Sequence, residues 1–170
     1  LTLLAKNNTG YQNLIKLVTL SHFEGYYYKP RMDKELLRKY SEGIICLSGC
    51  FGSELSRALR NKNTEEAERI ILEHREIFGK ENYFLEIMHH PGIEGLSETR
   101  SQTIALGKKF NIPLVATQDS HYLHVEDARA HDTLVAIQTN TDIQDEKRLT
   151  FAGDDFHFID SATAKNYFKD

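Results

Sequence analysis

The stretch VATQDSHYLH, residues 115–124, joins the end of an apolar run to a carboxylate and two imidazoles. Pro113 to Thr117 has the length and character of a short buried strand. Asp119, His121 and His124 then arrive within six positions. The same arrangement recurs upstream. Ile44 to Leu47 is an apolar run ending in Ser48-Gly49-Cys50, and Tyr83 to Met88 ends in His89-His90-Pro91-Gly92. Segments of helical periodicity separate these runs, and short apolar strands alternating with helices are the pattern of a parallel α/β sheet or barrel. In such folds chemistry collects at the carboxyl ends of the strands. Three strands here finish in sulfur, nitrogen or carboxylate donors.

The helices read as follows. Tyr11, Leu14, Ile15 and Val18 recur at helical spacing behind Thr9, a cap, with Gly25 as the stop. Asp33 opens a short helix with Leu36, Leu37 and Tyr40 inward, and Gly43 closes it. Helices are expected around Glu54 to Leu59 and over Thr64 to Phe78, the second with Ala67, Ile70, Ile71, His74 and Phe78 on one face. Ser97 to Phe110 reads as a polar helix, and Glu126 to Ile137 as an amphipathic one with Ala130, Leu134 and Ile137 together. Phe156 to Ile159 is read as a last strand, and Ser161 as the cap of a final helix.

Composition narrows the function classes. The 170 residues suit one domain. With 40% hydrophobic and 27% charged residues the chain reads as globular rather than disordered. Its net charge of -4 argues against an autonomous DNA grip, which needs a basic excess to neutralise phosphates. Cys46 and Cys50 are the only cysteines, so no disulfide framework is expected. No apolar stretch approaches the ~20 residues of a membrane helix. The expected setting is reducing and cytoplasmic. Leu1 stands where a methionine would begin a reading frame, so a piece of a larger polypeptide is expected.

An Asp-x-His pair leaving a strand can place both side chains on one side, since alternate residues share a face. The carboxylate oxygen and imidazole nitrogen suit zinc, manganese or iron. The competing reading has Asp119 capping the next helix and His121 making an ordinary hydrogen bond. Cys46, inside its strand, fits a packing role. Cys50 lies just past the strand, where packing asks less of it. His89 and His90 are adjacent, so at most one faces a common site. His22, His74 and His131 read as packing or surface residues. Tyr26 to Arg31 interleaves rings with Lys29 and Arg31, as a phosphate or single-strand contact would; a packed tyrosine-rich connector accounts for it equally.

Several stretches together resemble the polymerase and histidinol phosphatase (PHP) domain found at the amino end of bacterial DNA polymerase III alpha subunits. They are residues 1–7, Thr9-Gly10-Tyr11, Tyr27-Tyr28-Lys29-Pro30-Arg31, Ser48-Gly49-Cys50, Tyr83-Phe84-Leu85-Glu86, Ala116 to Tyr122, Ala136-Ile137-Gln138-Thr139 and Phe151-Ala152-Gly153-Asp154. The resemblance implies part of a distorted (β/α)7 barrel with its first strands missing, a single partial domain over 1–170 in which residues 140–170 lead toward the polymerase region. It also implies a site of up to three divalent metal ions, zinc or manganese, with Cys50, Asp119 and His121 at ligand positions and the other ligands upstream. His89, His90, Lys29 and Arg31 are then supporting or substrate contacts, and no catalytic residue is assigned. The family chemistry is phosphoester hydrolysis, including 3′–5′ proofreading in some polymerases, and this piece alone is expected to be inactive. DNA, a proofreading exonuclease subunit and the sliding clamp are the implied partners. Exposed strand edges and helix faces would favour self-association. The alternatives are a free-standing phosphoesterase and a metal-free module that holds polymerase parts together. The sequence departs from many relatives at Gln118, where they carry Asn, and at Pro91, which separates His90 from Gly92.

Overall fold

A computed structural model describes residues 1–151 and 156–169. Ala152, Gly153 and Asp154, which belong to one of the stretches that carry the resemblance, lie outside the described residues. The described chain forms two compact units, one of residues 1–87 and 101–115, the other of residues 88–100 and 116–170.

The first unit is built on a sheet of four strands in chain order: β1 (Thr2–Ala5), β2 (Ile44–Leu47), β3 (Tyr83–Ile87) and β4 (Leu114–Ala116). Helices α1 (Asn8–Phe23) and α2 (Lys34–Lys39) separate β1 from β2, and α3 (Glu54–Arg60) and α4 (Thr64–Phe78) separate β2 from β3. Helix α5 (Leu96–Phe110) precedes β4 and gives its first turn to the second unit. Strands β2 and β3 pair in parallel. The sheet is mixed α/β and open, consistent with part of a PHP barrel.

One strand corrects the all-parallel expectation: β1 pairs antiparallel with β2, Thr2 opposite Leu47 and Ala5 opposite Ile44. The cause lies where β1 ends. The Lys6 amide donates to the Gly43 carbonyl at 2.8 Å, and α1 begins at once beside the start of β2. A Cβ on Gly10 would overlap the Gly43 carbonyl, so the two backbones touch there. Gly43 itself is left-handed, φ 71°, which glycine adopts without strain.

Strand β2 and helix α4 form where their patterns place them. In α4 the face Ala67, Ile70, Ile71, His74, Ile77 and Phe78 is buried, and the Asn63 side chain caps by accepting from the Glu66 amide at 3.1 Å. These residues join Ile44, Cys46, Tyr83 and Leu85 in one core. Burial pushes the Cys46 thiol up to about 12 and the Tyr83 hydroxyl upward as well, because the anions would lose their water. His74, stacked on Tyr83 at 5.8 Å, is shifted the other way by the same desolvation and donates Nδ1–H to the Ile70 carbonyl.

Helix α1 departs from its sequence pattern. Asn7, not Thr9, is the cap, its side chain accepting from the Gly10 amide at 2.9 Å. The buried face is Gly10, Asn13, Leu17 and Ser21, whereas Tyr11, Ile15 and Val18 are exposed. Close backbone approach selects small residues there, and Asn13 Nδ2 donates to the Glu42 carbonyl at 2.9 Å.

The second unit carries a 3-10 turn at Val125–Asp127, then α6 (Ala128–Thr139) and α7 (Ser161–Tyr167). Helix α6 buries Asp132, Val135 and Ala136, and the expected inward residues Leu134 and Ile137 are exposed. Phe156 to Ile159 forms a single parallel bridge, Tyr122 with His157, instead of a strand. The Asp160 side chain, not Ser161, caps α7 by accepting from the Thr163 amide at 2.7 Å. Among the described residues no helix is long and apolar enough to cross a membrane.

Candidate metal centre

Strand β4 ends at Ala116, so Asp119 and His121 project from a loop rather than from the strand. What brings them together is the backbone at Asp119, which is left-handed, φ 52°. Asp tolerates this region better than most side-chain-bearing residues. The result is His121 Nε2 at 3.6 Å from Asp119 Oδ1, both partly open to solvent. Two ligands of one ion at about 2.0–2.2 Å stand about 3–4 Å apart. The pair therefore fits as two donors of one cation. Among the described residues no group of three or more His, Cys, Asp or Glu side chains is placed to hold a metal ion.

The His121 ring is held by its neighbours. It stacks on Phe151 with centroids 4.1 Å apart and meets the edge of Phe156 at 5.6 Å. Its backbone amide donates to the Phe156 carbonyl at 2.8 Å. His131 on α6 lies 5.3 Å from the His121 ring, and its buried Nδ1 has no hydrogen-bond partner among the described residues. From its residue pattern alone His131 reads as a packing or surface residue. It sits ten residues from His121 on another element, so no local spacing points to the pair.

Next to His131, Asp132 anchors the loop that carries Phe151. Arg148 Nη1 donates to Asp132 Oδ1 at 2.7 Å, Nη2 donates to Oδ2, and the Thr150 hydroxyl donates to Oδ1 at 2.6 Å. Nearly all of both ionic side chains is hidden from solvent. The Arg148 bonds, then that of Thr150, hold the Asp132 carboxyl down at about 2. A carboxyl depressed below its unfolded value of about 3.9 stabilises above that pH and loses the contribution as pH falls toward the folded value. The gap in denaturation midpoint between the wild type and Asp132→Asn is expected to be constant above about pH 5 and to close between about pH 4 and 2. A gap that persists unchanged at pH 2 would show that the charge is not what holds the loop.

Cys50 belongs to the first unit. It is an exposed free thiol at the turn from β2 into α3. Gly49, φ 87°, makes that turn, and the Cys50 carbonyl accepts from the Ser53 amide at 2.9 Å and the Ser56 hydroxyl at 3.1 Å. His89 and His90 diverge, as adjacent residues should. His90 is buried and stacks on Phe156 at 4.4 Å, while His89 stacks on Tyr167 at 4.3 Å with its Nδ1 3.1 Å from Arg100 Nη1. Both line a cavity of about 110 Å³ with Met88, Pro91, Leu96, Ser97 and Arg100. Lys29 and Arg31 lie on an exposed loop of the first unit.

The architecture is thus an α/β fold that places donor residues after its strands: a thiol after β2, imidazoles after β3, a carboxylate and an imidazole after β4. Residues 1–90 match the PHP domain model, just over half of the chain. The chain belongs to the PHP domain family, which is generally metal-dependent. It is also similar to proteins named DNA polymerase III subunit alpha: 45% identical over 160 residues to that of Deinococcus radiodurans, 42% over 160 residues to that of Thermus aquaticus, and 38% over 167 residues to that of Saccharopolyspora erythraea. These alignments cover 92%, 92% and 98% of this chain. The chain spans only 12–14% of the length of these relatives.

Proposed function

We propose that this chain is part of the PHP region of a bacterial replicative DNA polymerase III alpha subunit, and that Cys50, Asp119 and His121 ligate divalent zinc or manganese in a phosphoester-hydrolysing centre. The observation that carries the reading is the Asp119–His121 pair, 3.6 Å apart on a left-handed loop and braced by Phe151 and Phe156. The similarity to the alpha subunits supports it over nearly the whole chain. A bound cation would polarise a phosphate oxygen and lower the pKa of its water. The protein's own part is to orient: Phe151 fixes the His121 ring plane, and the Asp132–Arg148 clasp fixes the loop that delivers Phe151. In the longer polypeptide the reaction would be 3′–5′ removal of nucleotides, with DNA and the other replisome subunits as partners. The 170 residues alone would be inactive, because three ligands cannot complete a site for up to three ions.

The test is the metal content of the full-length subunit. Elemental analysis is expected to find zinc or manganese in the wild type, reduced by at least one ion in both Asp119→Asn and His121→Ala, with DNA synthesis retained. Full metal occupancy in both variants would overturn the ligand assignment. A wild-type subunit devoid of metal would instead make the region a structural module of the polymerase.

A further inference from the structure

We propose a second site on the first unit, a stacking platform for single-stranded nucleic acid formed by Tyr26, Tyr27, Tyr28, Lys29 and Arg31. The loop follows α1 and displays its rings instead of burying them: Tyr26 is 61% exposed, Tyr27 62% and Tyr28 81%, with Phe23 at the end of α1 83% exposed. Four aromatic rings within six residues, all turned outward, are a cost in water that a packed connector would avoid.

The loop is also rigid by construction. Tyr28 is left-handed, φ 60°, a conformation that is strained for a bulky residue. It sits at the tip of a tight reversal closed by the Tyr27 amide donating to the Lys29 carbonyl at 3.1 Å. The reversal is fastened to α1 at its base. The Arg31 amide donates to the Ser21 carbonyl at 3.4 Å, and the Arg31 carbonyl lies against Gly25 where any Cβ would overlap it. The Tyr27 and Tyr28 rings meet edge to face at 4.6 Å, and the Arg31 guanidinium lies 5.1 Å from the Tyr27 ring centre. Strain, rigidity and exposure together indicate a surface shaped for contact.

The occupant follows from the chemistry. Exposed faces of Tyr27 and Tyr28 offer stacking to unpaired bases of any sequence, and a duplex has no free base faces to give. The segment from Gly25 to Met32 holds Lys29 and Arg31 and no acid, so it attracts phosphates although the whole chain is acidic. The acids nearby, Glu24, Asp33 and Glu35, line an adjoining cavity of about 280 Å³ that also includes Arg31 and Lys39. They disfavour phosphate in that cavity and leave the rings and Lys29 as the contact surface. This inference stands on the loop alone and holds with or without a metal centre.

The chain has eight tyrosines and no tryptophan, so tyrosine emission reports directly on ring stacking. The experiment titrates the 170-residue chain with an oligothymidylate of about 12 nucleotides in low salt with EDTA present, a length within the usual range of single-strand sites. EDTA separates this result from the metal reading, which can fail without touching it. Quenching with saturation is expected, and a duplex of the same length should compete poorly. Tyr27→Ala with Tyr28→Ala should weaken binding by about tenfold or more, whereas Tyr27→Phe with Tyr28→Phe keeps the rings and should stay within about twofold. Lys29→Ala should lower the salt slope by about 0.7. Tyr11→Ala, an exposed ring at the far end of α1, should change nothing. Circular dichroism checks that each variant is folded. Absence of binding, equal binding by duplex, or full affinity in the folded double alanine variant would each overturn the proposal, and the rings would then await a protein partner.

Discussion

Replacing Gly10 by alanine is expected to lower the stability of the first unit by about 3 kcal/mol or more, the upper end of overpacking penalties. The added Cβ would enter the Gly43 carbonyl oxygen, and that neighbour is backbone, so no rotamer change makes room. To relieve the overlap, the start of α1 must lift away from the start of β2. That movement would also pull on the Asn7 side chain, which accepts from the Gly10 amide, and on the bond from the Lys6 amide to Gly43. Alanine is otherwise the better helix residue, by roughly 1 kcal/mol over glycine, so helix propensity opposes the loss and cannot account for it. Urea denaturation of Gly10→Ala measures the sum. A variant as stable as the wild type would mean that the two backbones do not approach as described.

The second large effect is expected from Leu85→Ala. Leu85 sits in β3, the strand between β2 and β4, and is fully buried. Its amide donates to the Pro113 carbonyl at 3.0 Å, so the backbone there is fixed from the β4 side while the side chain fills the core. Truncation leaves a void that a pinned strand closes poorly, and the expected loss is about 2–5 kcal/mol. The comparison is Leu4→Ala on β1, whose side chain is 48% exposed and whose loss should be much smaller. Equal losses at the two positions would mean that the core is not centred on β3.

Much of this organisation is legible in the residues, and the failures share a cause. Helix α4 and strand β2 were readable because their apolar spacing and their burial coincide. In α1 they do not. Tyr11, Ile15 and Val18 make the apolar stripe, yet the packed face is Gly10, Asn13, Leu17 and Ser21. Hydropathy records what a side chain would gain from burial. It is blind to a place where the gain comes from two backbones touching and from an Asn13 amide meeting a carbonyl. Helix α6 fails in the same way: Asp132 is buried because Arg148 and Thr150, sixteen and eighteen residues on, satisfy its carboxylate. At the candidate centre the residue types were readable, and the device that joins two of them was not. A strand was expected to align Asp119 and His121, whereas a left-handed residue on a loop does so. His131 and Phe151 were missed because they reach His121 through tertiary structure alone.

The order of the sheet has a consequence for synthesis. Because β1, β2, β3 and β4 lie side by side in the order in which the chain is made, no strand has to wait for a later one to separate its neighbours or to slip between them. Each strand leaving the ribosome meets an edge already formed by its predecessor, and the helices between them have time to settle before the next pairing. A nascent chain can thus lengthen its sheet one strand at a time, each new strand covering the edge that its predecessor had left open to other nascent chains.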